Sequence, residues 1–441
     1  MWLLPILSIL CSLVARIFYR FRVSGPSVPR EGPLLLVANH PNALLDPALV
    51  TAAARRPVRF LAKSPLLSDW RFGWLMKAGG AIPVYRRIDD PASTDQNVET
   101  FRAVLDALAD GAAIGIFPEG ITHSEPSLAR LKTGAARMAL DFAVAHGHVF
   151  PIVPVGLVLR DKDVYRSEAL AVIGDPIVWD DLAGRTAEEQ TAVHELTQRI
   201  DTGLREVTVN LERWEDRPLV EWAEQIWATE KRAPRDPADQ VARLEQATKV
   251  LAALRCRSAE EWKPFARRLR SYGRRLGRLG LRPSNLAVRT DLSASLSWTV
   301  RRLHWLGPPA VVLAGAALVI FRIPYELTGL IVRAFKPAEE VASTAKVLVG
   351  ALLYGLWVVL LAILVGAFAH WMAGVAALIL LPVVGVAGMR IRERWRGAWG
   401  DVRRFFLMRS RRELIEQLRR EQSELAEQLV ALYRTWRKIS Q

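Results

Sequence analysis

A chain of 441 residues with 51% hydrophobic and 24% charged residues is too long for one small domain and too apolar for a disordered chain, so two or three structural units are expected. Its net charge of +15 suits an anionic lipid surface or nucleic acid as partner. The two cysteines, Cys11 and Cys256, sit in no CxxC or Cys/His spacing, so neither a disulfide framework nor a zinc site is indicated and a reducing cytoplasmic setting fits.

In chain order, residues 1–24 read as an interfacial helix. Met1–Ala15 is apolar, lacks a basic residue ahead of it and an A-x-A-like site, and so is not a cleaved signal peptide. Arg16, Arg20 and Arg22, interleaved with Phe18, Tyr19 and Phe21, suit the cytoplasmic leaflet. A first core helix of the next domain is the alternative. Over residues 25–184, β-rich runs at Leu34–Ala38, Val58–Leu61, Ala81–Tyr85, Ala112–Phe117, Phe150–Leu159 and Ala169–Ile173 alternate with helical patterns at Ala48–Ala54, Leu66–Ala78, Thr94–Ala109 and Thr133–Ala145. That alternation predicts an α/β domain, a mixed sheet covered by helices.

Residues 185–305 show helical spacing among many Glu and Arg and predict a helical appendage. Within it, Arg267, Arg268, Arg270, Arg274, Arg275, Arg278 and Arg282 form a basic face that suits anionic membrane lipids or solvent equally. Residues 306–390 read as membrane-embedded. Val347–Met389, interrupted only by His370, is about twice the roughly 20 residues of one span and predicts a hairpin of C-terminal membrane helices turning at His370-Trp371. Leu306–Phe335 holds Arg322, Pro324 and Glu326 near its middle, costly in a straight span, and predicts a broken or re-entrant segment, with a third span as the alternative. Arg333, Lys336 and Lys346 before the hairpin and Arg390, Arg392, Arg394 and Arg396 after it place both ends in the cytoplasm. An integral protein of the cytoplasmic membrane follows, with its α/β domain on the cytoplasmic side. Residues 391–441 end in a basic amphipathic helix whose Leu414, Leu418, Leu425, Leu429 and Leu432 offer either a homodimer seam, interrupted at Glu421 and Gln428, or a face for packing on the body.

The chemistry concentrates at Asn39-His40-Pro41-Asn42-Ala43-Leu44-Leu45-Asp46-Pro47. A histidine titrates near working pH and removes a proton when a carboxylate fixes its tautomer. His40 and Asp46 are six positions apart, on well-separated faces of any continuous helix, so His40 belongs in a loop from which Asp46 turns back. Taken alone, Asp46 also reads as a cap on a helix starting at Pro47. Downstream stand Ile82-Pro83-Val84-Tyr85-Arg86, Phe117-Pro118-Glu119-Gly120 and Val153-Pro154-Val155-Gly156.

In content and order these blocks resemble the glycerophospholipid acyltransferase family over roughly residues 30 to 180. Members usually place four residues between histidine and aspartate. The five found here also occur in a branch that includes glycerol-3-phosphate and dihydroxyacetone-phosphate acyltransferases, and Phe117 through Ser124 with Leu131-Lys132-Thr133-Gly134 looks like that branch too. The resemblance implies transfer of a fatty acyl group from acyl-CoA or acyl carrier protein, as co-substrate, to 1-acylglycerol-3-phosphate. Glycerol 3-phosphate and dihydroxyacetone phosphate are alternative acceptors, and no metal or other cofactor is called for. It makes His40 the general base and Asp46 its partner, gives Arg86 the acceptor's phosphate, gives Glu119 and Gly120 its glycerol part, and places Pro154 on the donor side. Lys132, with Thr133 and Gly134 opening a helix, offers either a second anion site or a plain helix cap. His123 is a competing base without a motif partner. A non-catalytic lipid-binding membrane protein retaining this domain is the reading from another class. No nucleic-acid motif accompanies the charge, so glycerol-phosphate acceptor, acyl thioester and anionic lipids are the expected partners.

Overall fold

The computed structural model describes residues 3–69, 73–85, 97–234, 236–287 and 307–440. The chain forms two compact units. The first comprises residues 1–212, 235–245 and 338–344. It opens with α1 (Leu4–Phe18), β1 (Arg20–Ser24), β2 (Leu34–Ala38), α2 (Leu45–Ala54) and β3 (Val58–Lys63). It continues through α3 (Ser64–Ser68), α4 (Gly73–Ala78), β4 (Ile82–Val84), α5 (Asn97–Ala109), β5 (Ala113–Ile116), α6 (Gly134–His146), β6 (Ile152–Leu159), β7 (Glu168–Ile173) and α7 (Gln190–Val207).

The strands form one sheet in the order β1-β7-β6-β2-β5-β3-β4, in which β6 and β7 pair antiparallel and every other pair is parallel. Strand β2 is buried at all five positions, as an apolar run covered on both faces must be. It sits between β6 and β5, so the loops leaving β2 and β5 emerge side by side at the carboxyl edge, where open α/β sheets place their sites.

The mixed sheet covered by helices is as expected, with three differences. Arg20–Ser24 is an edge strand paired with β7, so the N-terminal helix ends at Phe18; Phe21 points inward while Arg20 and Arg22 stay exposed. Apart from Asp69, the described residues of Leu66–Ala78 fall in two short helices, α3 and α4. Helix α7, expected in the appendage, belongs to the sheet's core through Val193, Leu196, Ile200 and Leu204, which moves the end of this unit's first segment from 184 to Glu212.

The second unit comprises residues 213–234, 246–337 and 345–441. The helices that follow α7 are α8 (Arg217–Glu230), α9 (Pro237–Arg257), α10 (Ala259–Leu279), α11 (Pro283–Leu286), α12 (Pro308–Phe335), α13 (Glu339–Phe368), α14 (Trp371–Ser410) and α15 (Arg412–Ser440). Helix α9 begins on the first unit, where Val241 packs with Val172 and Val207. In the second unit Tyr272 donates to Gln422 at 2.8 Å, Gln422 donates to Glu230 at 2.8 Å, and Arg268 and Arg275 pair with Glu424 and Glu421. With Leu418, Leu425 and Leu429 buried, the apolar stripe of α15 is used inside the unit.

Helices α12, α13 and α14 are each long and apolar enough to cross a membrane. The expectation of a broken segment at 306–335 gives way to one continuous helix. Pro324 removes a single donor, the one that would serve the Ile320 carbonyl, and Trp357 Nε1 donates to that carbonyl at 2.8 Å instead. The hairpin turn falls at His370 as expected, with the His370 ring accepting the Met372 N–H at the start of α14.

The seating of α7 under β6 is testable at Gly156, where an added β-carbon would overlap the carbonyl oxygen of Val207. Gly156→Ala is expected to cost about 1–3 kcal/mol of stability and to lower the melting temperature of the detergent-solubilised protein. Gly184→Ala, with nothing within 4 Å of the new β-carbon, is expected to leave it unchanged. Equal melting temperatures for the two variants would contradict this packing.

Candidate active site

The loop after β2 is tied down before it reaches His40. The Asn39 amide forms a reciprocal pair with the Leu157 backbone of β6, accepting its N–H at 2.7 Å and donating to its carbonyl at 3.0 Å. The chain then turns through Pro41 and Asn42, takes a left-handed conformation at Ala43 (φ 42°), and enters α2 at Leu45. The Asp46 side chain, in the first turn of that helix, points back onto the loop. Its Oδ2 accepts the Asn42 N–H at 2.6 Å and lies 2.8 Å from His40 Nδ1. A carboxylate only accepts, so Nδ1 carries the proton and the lone pair of the neutral ring is on Nε2. The backbone break expected from Pro41 and Asn42 is present, and Ala43 in the left-handed region supplies a sharp turn within the five-residue spacing.

Asp46 is fully buried, while the His40 side chain is 18% exposed. Burial pushes the Asp46 acid up. The His40 hydrogen bond and charge and the Asn42 N–H pull it back. The imidazole is held from the side as well: it stacks on Phe117 at 4.1 Å with an 11° interplanar angle, and Phe117 stacks on Phe60 at 5.8 Å. Gly115 on β5 makes room for this column, since a β-carbon there would overlap the Phe60 ring.

Glu119 and Gly120 lie in the loop after β5. Gly120 adopts φ 71°, the left-handed region that favours glycine, and the stem of Lys132 lies across it. Lys132 itself is exposed just ahead of α6, as its helix-opening position implies. Glu119 is held within the protein. Its residue is 2% exposed; Oε1 accepts the His40 N–H at 2.9 Å, and Oε2 accepts the Ala129 N–H at 2.8 Å together with His123 Nε2. A carboxylate so engaged is a strut between the loops after β2 and β5. His123 is also settled: Nδ1 accepts the Glu125 N–H at 3.1 Å, so Nε2 is the donor to Glu119 and the ring is no free base.

Behind the pair lies a group the sequence did not single out. Asn42 Nδ2 donates to the Tyr19 hydroxyl at 2.6 Å, that hydroxyl donates to the Lys162 carbonyl, and Ser343 Oγ donates to the same carbonyl at 2.6 Å. Burial raises the Tyr19 acid well above its usual value, which keeps the hydroxyl a donor. Asn39 and Asn42 flank His40 in sequence, which is the one signal that pointed to them; Tyr19, Lys162 and Ser343 arrive from remote elements.

Arg86, with Arg87, lies outside the described residues, although β4 just before it ends on the carboxyl edge. Pro154 is buried within β6. Among the described residues no group of three or more His, Cys, Asp or Glu side chains is gathered to hold a metal.

His40, Asp46, Glu119 and Lys132 fall within the match to the Acyltransferase family model, which covers residues 20–158. The Saccharomyces cerevisiae protein "Glycerol-3-phosphate O-acyltransferase 2" is 34% identical over 134 residues, 30% of this chain and 18% of its own length. The Arabidopsis thaliana protein "1-acyl-sn-glycerol-3-phosphate acyltransferase LPAT1, chloroplastic" is 28% identical over 141 residues, 32% of this chain and 37% of its own length. A solved structure of the acyltransferase PlsC from Thermotoga maritima matches 48% of this chain and 82% of its own, at 18% identity and a TM-score of 0.34, too distant to carry an argument. The matched segment thus spans well under half of either relative. The family match, together with the order of the four blocks, identifies residues 20–158 as an Acyltransferase domain, similar to those of glycerol-3-phosphate and 1-acyl-sn-glycerol-3-phosphate acyltransferases.

Proposed function

We propose that this protein transfers a fatty acyl group from an acyl thioester to a hydroxyl of a glycerol-phosphate acceptor. The observation that carries the reading is the bond between His40 Nδ1 and the buried Asp46 carboxylate, which leaves Nε2 on the partly exposed side. The acceptor hydroxyl gives its proton to Nε2 as its oxygen attacks the thioester carbonyl. Asp46 stabilises the imidazolium that forms. Collapse of the tetrahedral intermediate breaks the carbon–sulfur bond, and the thiolate leaves with the proton from His40. No enzyme nucleophile is consumed, and acyl-CoA or acyl carrier protein serves as co-substrate. Arg86 and Lys132 are the cations assigned to the acceptor's phosphate.

The first acceptor proposed is 1-acyl-sn-glycerol-3-phosphate. Glycerol 3-phosphate is a second reading, favoured by the higher identity to the yeast relative bearing that substrate in its name. The site is assigned to the cytoplasmic face of the cytoplasmic membrane, on the strength of the arginine cluster following the apolar hairpin.

Membranes carrying the protein, offered acyl-CoA with each acceptor in turn, are expected to form product from one of them. His40→Ala is expected to lower kcat by about 10³ or more; a loss of only a few fold would remove His40 from the base role. Turnover with neither acceptor, nor with acyl carrier protein donors, would favour a non-catalytic lipid binder.

Glu119→Gln separates strut from acceptor ligand. As a strut it lowers kcat by about 10–100-fold, the scale on which supporting-shell changes act, with the acceptor KM within twofold; a rise in KM at constant kcat would restore Glu119 to the acceptor.

Asp46→Asn probes the buried charge. The folded-state acid of Asp46 is raised, so its contribution to stability is fully present below the unfolded value of about 3.9 and is lost as pH rises through the folded value. The stability of Asp46→Asn relative to wild type is therefore expected to improve as pH is raised from about 4 to 7, even as activity is lost. A difference in melting temperature that stays flat over that window would argue against a net burial cost at Asp46.

A further inference from the structure

Three apolar helices suggest three crossings, yet the attachments at their ends require an even number. Among the described residues 3–287 no helix is long and apolar enough to span a bilayer, and the sequence from 288 to 306 carries Arg289, Asp291, Arg301 and Arg302, so the chain has made no crossing before Gly307 and lies on one face of the membrane up to there. Ser343, four residues into α13, is buried and donates to the Lys162 carbonyl of the sheet unit. The chain has therefore returned to that face by residue 343, after α12. Helix α15 docks on α8, α10 and α11, with Arg419 Nε donating to the Leu286 carbonyl at 2.8 Å and Gln422 bonded to Glu230 and Tyr272. The chain is on that face again after α14. The hairpin of α13 and α14 accounts for two crossings, and no crossing is left for α12.

The contacts of α12 agree. On α13 it meets Trp357, whose Nε1 donates to the Ile320 carbonyl at 2.8 Å, Tyr354, which stacks on Phe321 at 5.7 Å, and Gly350, which lies under Thr328. On α14 it meets Gly388 at Ala317 and Gly385 at Phe321, beside the first arginines after the apolar run. Arg322, Glu326 and Arg333, all exposed, recur at helical spacing along one strip. Such a strip is costly in the middle of a span and suits a helix lying at the headgroups. Its exposed apolar residues Val312, Val319, Ile323 and Leu330 run beside that strip, centred about 60° round the helix.

We infer that helix Pro308–Phe335 does not cross the membrane but lies within the leaflet on the catalytic side, with its Val312, Val319, Ile323 and Leu330 face seated among that leaflet's acyl chains. Both ends of the helix then face the catalytic compartment, and the protein holds a lipid-contacting surface in the leaflet that would present a lipid acceptor. The inference rests on the membrane-spanning reading of the hairpin and not on the identity of the acceptor.

Single cysteines test it in the full chain carrying Cys11→Ser and Cys256→Ser, with a membrane-impermeant maleimide applied to sealed vesicles of each orientation. Gly307→Cys, Lys336→Cys and Arg411→Cys are expected to label from one face and His370→Cys from the other. Labelling of Gly307→Cys and Lys336→Cys from opposite faces would make α12 a span and overturn the inference while keeping a membrane protein. Labelling of all four from one face would overturn the spanning hairpin and the inference with it. Should a variant fail to accumulate, nitroxides at Val312 and Leu330 read immersion depth directly. These sites are about 27 Å apart along a helix; similar shallow depths support the inference, and depths reporting opposite leaflets overturn it.

Discussion

The site depends on one oxygen atom. Asp46 Oδ2 accepts from both His40 Nδ1 and the Asn42 N–H, inside a carboxylate that has no contact with solvent. Removing a carboxylate from water costs several kcal/mol after relaxation, whereas a hydrogen bond to a charged group returns about 1.5–3 kcal/mol. Two such bonds roughly offset the burial, and they do so only while the loop from His40 to Leu45 keeps its shape. That explains the restraints around it: the Asn39 pair with β6, the left-handed turn at Ala43, and the hold of Tyr19 on Asn42.

A second buried carboxylate applies the same logic between loops. Glu119 joins the main chain at His40, which follows β2, to Ala129 and His123, which follow β5. The strands are neighbours in the sheet, so the two loops are brought together by topology and locked by charge. The aromatic column of Phe60, Phe117 and His40 adds a lateral restraint to the ring that the carboxylates position from behind and below. On the proposed chemistry, a base held in this way pays its reorganisation cost during folding, before any acceptor arrives.

Much of this was legible in sequence where the signal is local. The apolar run Leu34–Ala38 is β2 to the residue, and the His40 to Asp46 loop with its backbone break followed from spacing and proline. Arg20–Ser24 was misread because its arginines and aromatics fit an interfacial helix end, although Phe21 and Ser24 are buried and Arg20 and Arg22 exposed in the manner of a half-buried edge strand. Helix α7 carries the same Glu-rich helical pattern as its successors, and only the sheet surface it covers distinguishes it. Glu119 was legible as a motif residue and His123 is only four residues on, while its two backbone donors, the N–H groups of His40 and Ala129, reach it only in the fold. The Tyr19, Lys162 and Ser343 bonds join positions far apart in the chain and had no sequence signal at all.

The apolar segments show a different limit. Hydropathy and length treat α12, α13 and α14 alike, and prolines and charges in α12 suggested a broken or re-entrant segment, with a third span as the alternative. It does not break, because Pro324 removes one donor and Trp357 Nε1 partners the Ile320 carbonyl that this leaves free. What distinguishes α12 from the other two is the bonding of the segments at its flanks. A helix is committed to a topology by polar attachments outside the lipid: Ser343 on one side, and the ion pairs and amide bonds of α15 on the other. Each of those attachments would have to be broken in water to add a crossing, while the exposed Arg322, Glu326 and Arg333 would have to enter hydrocarbon. Both costs oppose the same change, and nothing in the apolar composition of α12 offsets them, since a helix lying in the leaflet already removes its hydrophobic face from water.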